Sequence, residues 1–541
     1  MYRHIAAREY SPPLNILSAA EDPSEFLTGL YLPMANGVFL AADAGTADRL
    51  RARYGARVVI RPAKCVLAAI ERRFRESFRR QAISELAENE PQFSAATVIT
   101  KKQARVFLLA AISAMVLFIL FPRIAAVAIT WLFIVAFVAN AAFRAFLLLA
   151  GERPVATAGS AAPDEELPIY SILVPLYREA NVMPALARAL RALDYPRHLL
   201  DIKLIVETDD AETAVVADAI AARDSIFSVV RVPPGTPRTK PRACNYAMPF
   251  VLGEFTVIFD AEDRPEADQL RKAVAAFRTQ PKHVACLQAR LNFYNANENW
   301  LTRMFALDYA LWFDYLLPGL DRLKIPMPLG GTSNHFRTEA LRAIHCWDPY
   351  NVTEDADLGI RLARVGLRVR TLDSTTFEEA TNSFGNWLKQ RSRWLKGYMQ
   401  TWLVHMRSPR ALLRNAGVGG FIGFQLFVGG TFISALVNPV LWAIFLLSKI
   451  FGVSLLGTLT AGTAAHFSIL GLAAGNALFA YLAMLGPFRR GWLELTPYGL
   501  TAPFYWLLIS CAGGRALWKL VRQPWHWDKT VHGVSKFSSA A

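Results

Sequence analysis

The chain has 541 residues, of which 53% are hydrophobic and 19% charged, and its formal net charge is +15. This composition excludes a disordered or collagen-like protein, and the mean hydropathy of +0.24 indicates that part of the chain lies in a membrane. The positive charge fits either a nucleic acid or the anionic inner face of a membrane. The five cysteines lie far apart without a CxxC pair, so the sequence supports neither a zinc site nor a disulfide framework.

The first 103 residues are polar and rich in arginine. A short apolar stretch at 37–42, a helical segment at 47–55, a strand at 57–62 and a helix at 64–80 predict a small cytoplasmic αβ domain over 1–103. The N-terminus lacks the apolar region of a secretory signal, so we expect membrane targeting to come from internal segments.

Two apolar stretches follow, at 104–121 and 124–150, separated by Pro122 and Arg123, and their charged residues are Arg105 and Arg144. Each is long enough to cross about 30 Å of hydrocarbon, which predicts a transmembrane hairpin at 104–150. Further apolar stretches at 417–456, 464–485 and about 496–512 predict interfacial and transmembrane helices with a cytoplasmic tail over 411–541, in a number that stays open. Basic clusters beside these stretches place the intervening residues 151–410 on the cytoplasmic side.

Residues 151–410 alternate apolar runs with charged helical segments. The runs IYSILVPLY and IKLIVE, separated by a helical NVMPALARALRAL, are typical of a parallel α/β sheet, and FSVVRV, FTVIFDA and HVACLQARL predict further strands.

The first motif whose residues can bind a ligand or take part in a reaction is DAED, residues 260–263, directly after the strand FTVIF. Its carboxylates come to the carboxyl edge of the sheet, where open α/β sheets bind ligands, and two of them can hold a Mg²⁺ or Mn²⁺ that also binds a diphosphate. An isolated D-x-E is also common in solvated acidic loops. Lys240 and Arg242, in TKPRACNYA, supply cations suited to phosphate, and the run IVETDD ends an earlier strand in acidic residues.

The second motif is VTEDADLGIRL, which places Thr353, Glu354 and Asp355 at the start of a predicted helix. A carboxylate here can take the proton of an attacking hydroxyl group, and the same pattern is typical of a helix N-cap with acidic residues in its first turn.

The third motif is QRSRW, residues 390–394. Its indole offers a flat face on which sugars stack, and its second arginine can neutralise a diphosphate. The pattern is also typical of an amphipathic helix at a membrane surface.

In this order, between apolar segments, the motifs resemble glycosyltransferase family 2 processive synthases, the group of the bacterial and plant cellulose synthases. The resemblance covers about 170–397, and LGGTSNHFR and ENWLTRMFALDYALWFDY are similar to a bacterial branch with an extra N-terminal regulatory domain. It implies a GT-A-type (Rossmann-like) catalytic domain at 151–410. The implied activity is processive, inverting β-transfer of a sugar, glucose by analogy, from a UDP-sugar at the cytoplasmic face of a bacterial inner membrane, with export of the polysaccharide through the protein's own helices.

The same resemblance implies roles for individual residues. The implied nucleotide-sugar contacts are Tyr177, Glu179, Glu207, Asp209, Lys240, Arg242 and Asp260, and which acidic residue of 207–210 meets the base stays open. Asp260 and Glu262 correspond to the family's Mg²⁺ or Mn²⁺ ligands, with Glu in place of the second Asp. Asp355 of the Thr353-Glu354-Asp355 motif corresponds to the general base. The residues that hold the acceptor and the diphosphate are Gln390, Arg393 and Trp394.

Residues 49–74 resemble part of the N-terminal domain of type II secretion ATPases, some of which bind cyclic di-GMP. The basic side chains Arg51, Arg53, Arg57 and Arg61 suit an anionic nucleotide, and the alternative is a domain that only packs on the catalytic unit or on a regulatory or periplasmic partner protein.

Three other functions compete with a polymerising synthase. A non-processive glycosyltransferase would add one sugar to a lipid or a short acceptor. A receptor with a degenerate transferase fold would bind a nucleotide without catalysis, but it has no need for Asp260, Glu262 and Asp355 together. We expect no nucleic-acid partner, since no recognition module is visible and the basic clusters flank apolar stretches.

Overall fold

The computed structural model describes residues 23–34, 38–151, 164–451 and 463–536. Residues 152–163, the first residue of the apolar stretch at 37–42 and the segment 452–462 lie outside these ranges. In chain order the helices are α1 (Ser24–Gly29), α2 (Ala44–Tyr54), α3 (Ala63–Asn89), α4 (Lys101–Leu120), α5 (Pro122–Ala150), α6 (Met183–Arg191), α7 (Ala211–Arg223), α8 (Lys240–Ala247), α9 (Gln269–Thr279), α10 (Trp300–Leu311), α11 (Leu317–Arg322), α12 (Thr338–Ala343), α13 (Glu354–Arg364), α14 (Phe384–His405), α15 (Pro409–Phe424), α16 (Gly430–Ile450), α17 (Thr463–Leu485) and α18 (Ala502–Arg522).

The strands form two sheets. They are β1 (Tyr31–Pro33), β2 (Val38–Ala41), β3 (Arg57–Ile60), β4 (Tyr170–Leu176), β5 (Leu200–Glu207), β6 (Phe227–Val232), β7 (Phe255–Ile258), β8 (Arg264–Pro265), β9 (Val284–Phe293), β10 (Asn334–Arg337) and β11 (Arg368–Glu378). The first three make a small sheet of order β1-β2-β3, and the other eight make a sheet of order β6-β5-β4-β7-β10-β9-β11-β8.

The eight-stranded sheet is mixed, so the prediction of a parallel sheet is only partly right. Strands β6, β5, β4 and β7 are parallel, and each was predicted from its apolar run. Strand β10 runs antiparallel to both β7 and β9, and its four residues are too short for a periodic signal. Every residue of β5 and β7 is buried, since helices cover both faces of the sheet.

Helix α3 joins the small sheet to the larger one. Its Phe78 meets Phe250 edge-on with ring centroids 5.0 Å apart, and Tyr246 donates a 2.6 Å hydrogen bond to its Glu71. The first residues of the chain that are described therefore pack against the same core as the catalytic motifs.

Within the described ranges, three helical segments are long and apolar enough to cross a membrane: Lys101–Leu120, Pro122–Ala150 and Pro409–Ala443. The third bends at Gly417, whose φ of 72° lies in the left-handed region that favours glycine, and a π-helical turn at Gln425–Gly429 links α15 to α16. Helix α16 continues through Pro439.

Candidate active site

The DAED loop begins where β7 ends. Asp263 is buried, and its Oδ2 accepts the backbone N–H of Asp260 at 2.7 Å and the hydroxyl of Thr332. Burial raises the pKa of Asp263, and the neighbouring Asp260 and Glu262 add to this effect. Asp263 therefore shapes the loop, while Asp260 and Glu262 line a cavity.

Lys240, at the start of α8, lies opposite this loop. Its Nζ is 2.6 Å from Oδ1 of Asp260 and donates a 2.5 Å hydrogen bond to the carbonyl of Gly331. Burial works against the charge on Lys240, but Asp260 and then Asp355 and Glu354 outweigh it and raise its pKa well above the usual value. The chain thus holds Lys240 charged at this edge of the cavity, and an ammonium group is a donor suited to phosphate oxygens.

The T-E-D motif occupies the N-terminus of α13. Thr353 stands at the N-cap position, but its side chain makes no capping bond, and its N–H donates instead to Oδ1 of Asn351 at 3.0 Å. Helix α14 approaches this turn closely: a Cβ built on Gly397 would lie 2.1 Å from Oγ1 of Thr353. The glycine therefore allows α14 to press against the turn that carries Asp355.

Asp355 is buried, and its Oδ1 has no hydrogen-bond partner among the described residues. Burial raises its pKa well above the ordinary value, and Glu354 beside it raises it further, while Lys240 works in the opposite direction. A carboxylate with a raised pKa and an unused oxygen facing a cavity has the properties of a general base.

Helix α14 carries the QRSRW motif along one wall of the same cavity. Gln390, Arg393 and Trp394 line the cavity, and Oε1 of Gln390 has no partner among the described residues. Sequence reasoning assigned no role to Arg391, which also lines it. The Arg391 guanidinium lies 2.6 Å from Asp308 and 4.8 Å from the Trp394 ring centroid, so it fixes the indole in place.

The last described residues, the tail segment 523–536, return to this site after α18. The Trp527 ring lies 4.3 Å from the guanidinium of Arg393, Lys529 forms an ion pair with Glu179, and Nδ1 of His532 lies 3.0 Å from Glu262. The sequence analysis missed these tail residues. The signal was available in the dense run WHWDKTVH, which places aromatic, cationic and imidazole groups directly after the last apolar stretch.

The tail is held by its backbone as well as by its side chains. The N–H groups of Gly533, Val534 and Ser535 all donate to the carboxylate of Glu379, at 2.6, 3.0 and 2.8 Å. Asp528 is anchored to α18 by Lys519, whose Nζ lies 2.5 Å from its Oδ1. These contacts fix the tail segment in place at the cavity wall.

A metal ion fits a group that differs in part from the predicted pair. Glu179, Glu262 and His532 each offer one ligand atom, and these atoms lie within 4.8 Å of one another. His532 and Lys529 outweigh the effect of burial and lower the pKa of Glu262 to about 2, and Glu262 in turn raises the pKa of His532. The imidazole would therefore have to lose its proton to bind a cation. Two carboxylates and an imidazole suit Mn²⁺ better than Mg²⁺, which takes oxygen ligands. Asp260, the other predicted ligand, pairs with Lys240 instead.

Five of the predicted nucleotide contacts do not line the cavity: Glu179, which belongs to the candidate metal group, and four residues at the ends of β4 and β5 and on α8. Glu207 and Arg242 are both buried and form an ion pair in which one guanidinium nitrogen lies 2.6 Å from each carboxylate oxygen. Asp209 pairs with Arg238 at 2.7 Å, and Arg238 donates to the Tyr177 hydroxyl at 3.0 Å. Tyr177 and Asp209 thus share one surface cluster at the ends of β4 and β5, while Glu207 and Arg242 brace the sheet beneath it.

The cavity has a volume of about 360 Å³ and continues from a cluster of carboxylates into the helix bundle. Its carboxylate end is lined by Lys240, Asp260, Asp355 and Glu378, and the unpartnered Oε1 of Glu378 adds a carboxylate that sequence reasoning missed. Its other end is lined by residues of α5, α16, α17 and α18, which include Arg144 and Asn438. A substrate held at Asp355 can therefore extend among the apolar helices.

Residues 255–488 match the model of the glycosyl transferase family group 2, a range that contains the DAED, T-E-D and QRSRW motifs. Several curated proteins are similar. The beta-monoglucosyldiacylglycerol synthase of Trichormus variabilis (strain ATCC 29413 / PCC 7937) is 29% identical over 244 residues, 44% of this chain and 50% of that protein. The protein of the same name from Synechocystis sp. (strain ATCC 27184 / PCC 6803 / Kazusa) is 25% identical over 382 residues, 68% of this chain and 76% of that protein. The chain spans about half the length of the first of these relatives.

A solved structure is also similar. It is the mannosyltransferase PcManGT from Pyrobaculum calidifontis in complex with GDP-Man and Mn²⁺, with 18% identity and a TM-score of 0.45, and the match covers 73% of this chain and 99% of that one.

Proposed function

Because residues 255–488 match the model of the glycosyl transferase family group 2, we propose that the chain transfers a sugar from a UDP-sugar to a lipid or a short acceptor at a membrane surface. The observation that carries the proposal is the cavity that joins Asp355 and Lys240 to the apolar helices, since it has room for a donor at one end and for an apolar acceptor at the other. Two similar proteins are named as synthases of a glucosylated diacylglycerol, and this supports the same acceptor class.

The proposed chemistry is an inverting displacement at C1 of the sugar. Asp355 takes the proton of the acceptor hydroxyl through its free Oδ1, the hydroxyl oxygen forms the new bond to C1, and the electron pair of the breaking C1–O bond goes to the diphosphate. Lys240 and Arg393, both in the cavity wall, hold the diphosphate and its developing charge. A divalent cation held by Glu179, Glu262 and His532 would neutralise more of that charge.

Trp394 and Gln390 are proposed to hold the acceptor. The indole is fixed by Arg391 and by Phe305, whose ring centroid is 5.7 Å away, and the amide oxygen of Gln390 is free to accept a hydrogen bond from a hydroxyl group. Sugars and glycerol bind where a rigid apolar face lies beside a free hydrogen-bond acceptor.

We further propose that α4, α5 and the Pro409–Ala443 segment cross a bacterial inner membrane, with residues 151–410 in the cytoplasm. The length and apolar character of these three segments support this, as do the basic residues at the start of α4, Lys101 and Lys102.

The test is a transfer assay on the full chain in detergent micelles with Mn²⁺, a panel of radiolabelled UDP-sugars and diacylglycerol. We expect one sugar per acceptor in the organic phase, and none with the Asp355→Asn variant. Absence of labelled product with every donor and acceptor would refute the proposed activity.

A second candidate, processive synthesis and export of a polysaccharide, is favoured by the polar groups of the cavity among the helices, such as Ser434, Asn438 and Asn476. The same assay separates the two functions: a water-soluble or insoluble chain of many sugars supports polymerisation, whereas a single organic-soluble addition supports the lipid acceptor.

A further inference from the structure

Arg144 is a charged residue inside α5, one of the three candidate spans, and it lines the bundle end of the cavity. It lies six residues before Ala150, the last residue of the helix, which corresponds to about 9 Å along the axis. The following Gly151 accepts a hydrogen bond from Arg489 beside the catalytic domain, so this end of α5 is the catalytic end. The guanidinium therefore lies near the depth at which lipid headgroups meet hydrocarbon.

Two side chains position this guanidinium. Asn140 donates its Nδ2–H to the carbonyl of Leu426 at 2.8 Å, which leaves its Oδ1 to accept from Nε of Arg144 at 3.0 Å. Thr431 donates its hydroxyl to the carbonyl of Phe427 at 2.6 Å and accepts from Nη2 of Arg144 at 3.0 Å. Both neighbours are thus fixed as acceptors by the turn between α15 and α16, and the arginine is held in one orientation.

Arg144 forms no direct ion pair among the described residues: Asp308 attracts its charge from a distance but is itself paired with Arg391. The guanidinium makes the two hydrogen bonds and contacts two aromatic rings, Phe427 and Phe479, with centroids 5.4 and 5.8 Å from the guanidinium carbon. Three of its five N–H donors, including both on Nη1, have no protein partner in these contacts. A cation inside a candidate span, oriented and left without an anion, is a binding site by default.

The other charges at this end of the cavity cancel. Asp308 and Arg391 form an ion pair at 2.6 Å, so Arg144 is the residual charge there. Asn438 and Asn476, linked by a 3.4 Å hydrogen bond, add polar groups to the same wall. The ligand that matches is an anion carrying hydroxyl groups, with an apolar part that lies among the helices.

We propose that the acceptor bears a phosphate ester and that Arg144 binds this phosphate through its free N–H groups, while the acceptor's hydroxyl group reaches Asp355. This rests on the proposed function and narrows it from any lipid or short acceptor to an anionic one. A planar guanidinium binds phosphate through two parallel hydrogen bonds, which a lysine cannot reproduce.

The experiment compares acceptors in detergent micelles: phosphatidylglycerol, diacylglycerol and soluble glycerol phosphate. For the wild type we expect a KM for phosphatidylglycerol at least about tenfold below that for diacylglycerol, and an Arg144→Gln variant should lose this preference through KM. The KM preference of Arg144→Lys for phosphatidylglycerol should lie between those of the wild type and of Arg144→Gln. The matched control is Arg123→Gln, which removes the same charge from the exposed first turn of the same helix and should keep the preference.

The outcomes are distinct. Equal use of diacylglycerol and phosphatidylglycerol by the wild type, or an unchanged preference in Arg144→Gln, would overturn the phosphate site and leave the proposed transfer intact. Efficient use of glycerol phosphate would keep the phosphate site but assign it to a soluble acceptor. If no acceptor is labelled, the proposed function fails. The phosphate site is then tested separately, by the binding of fluorescent phosphatidylglycerol to the wild type and to Arg144→Gln, and equal binding would refute it. Retained UDP binding shows that each variant is folded.

Discussion

Replacing Asp355 by asparagine should destroy activity and increase stability. The substitution keeps the side-chain shape but removes the proton acceptor, and loss of a general base lowers a rate by roughly 10²–10⁴, equivalent to about 3–5 kcal/mol of barrier. UDP binding should persist, because Lys240 and the Glu179–Glu262–His532 group are unchanged.

The stability gain follows from the raised pKa of Asp355. A carboxyl whose pKa is higher in the folded state than its usual 3.8 destabilises the fold wherever it is ionised in the unfolded chain, by about 1.4 kcal/mol for each pKa unit. The free energy of unfolding should therefore be higher than that of the wild type at pH 7, and the gain should vanish as the pH falls below the usual pKa. By the same linkage, wild-type transfer should be full above the raised pKa and be lost as the pH falls through it.

The assay is sugar transfer together with thermal unfolding at pH 7.5 and pH 4, and Asp357→Asn is the matched control. Asp357 is buried on the same helix but paired, with His405 at 3.1 Å and Arg361 at 3.7 Å, so its substitution should lower stability. If Asp355→Asn keeps more than about a tenth of the activity, or is less stable than the wild type, the assignment of Asp355 as the base is wrong.

Three further predictions concern the surroundings of the base. His532→Ala should weaken Mn²⁺ binding by at least about tenfold in calorimetric titration, and unchanged binding would remove His532 from the metal group. Gly397→Val should push the turn at Thr353 away from α14, with a loss of about 1–3 kcal/mol in unfolding free energy and of most transfer activity, whereas a fully active variant would show that the close contact is dispensable. Lys519→Ala should release the tail at Asp528 and speed tryptic cleavage after Lys529 severalfold, and equal cleavage of variant and wild type would contradict the anchoring role.

Sequence reasoning was strongest where the signal is local. The apolar runs before Tyr177 and Asp260 predicted β4 and β7, and the order of the three motifs predicted which side chains line the cavity. It failed where the partner is distant: nothing near Glu207 indicates that Arg242 neutralises it, since that pairing depends on how α8 packs against β5. The same holds for His532. Its partner Glu262 is distant in the sequence, and helices α15 to α18 lie between the two residues.

The tail segment has a consequence for how the protein matures. Glu179 and Lys529 are 350 positions apart, so the site closes through some of the longest sequence separations in the chain. Contacts of this kind form late in folding, because the loop between them must first be ordered. Helix α18 has to pack against α14 before the tail can reach the carboxylates. We therefore expect a chain still on the ribosome to have an open site. Transfer activity should begin only when the tail segment has docked.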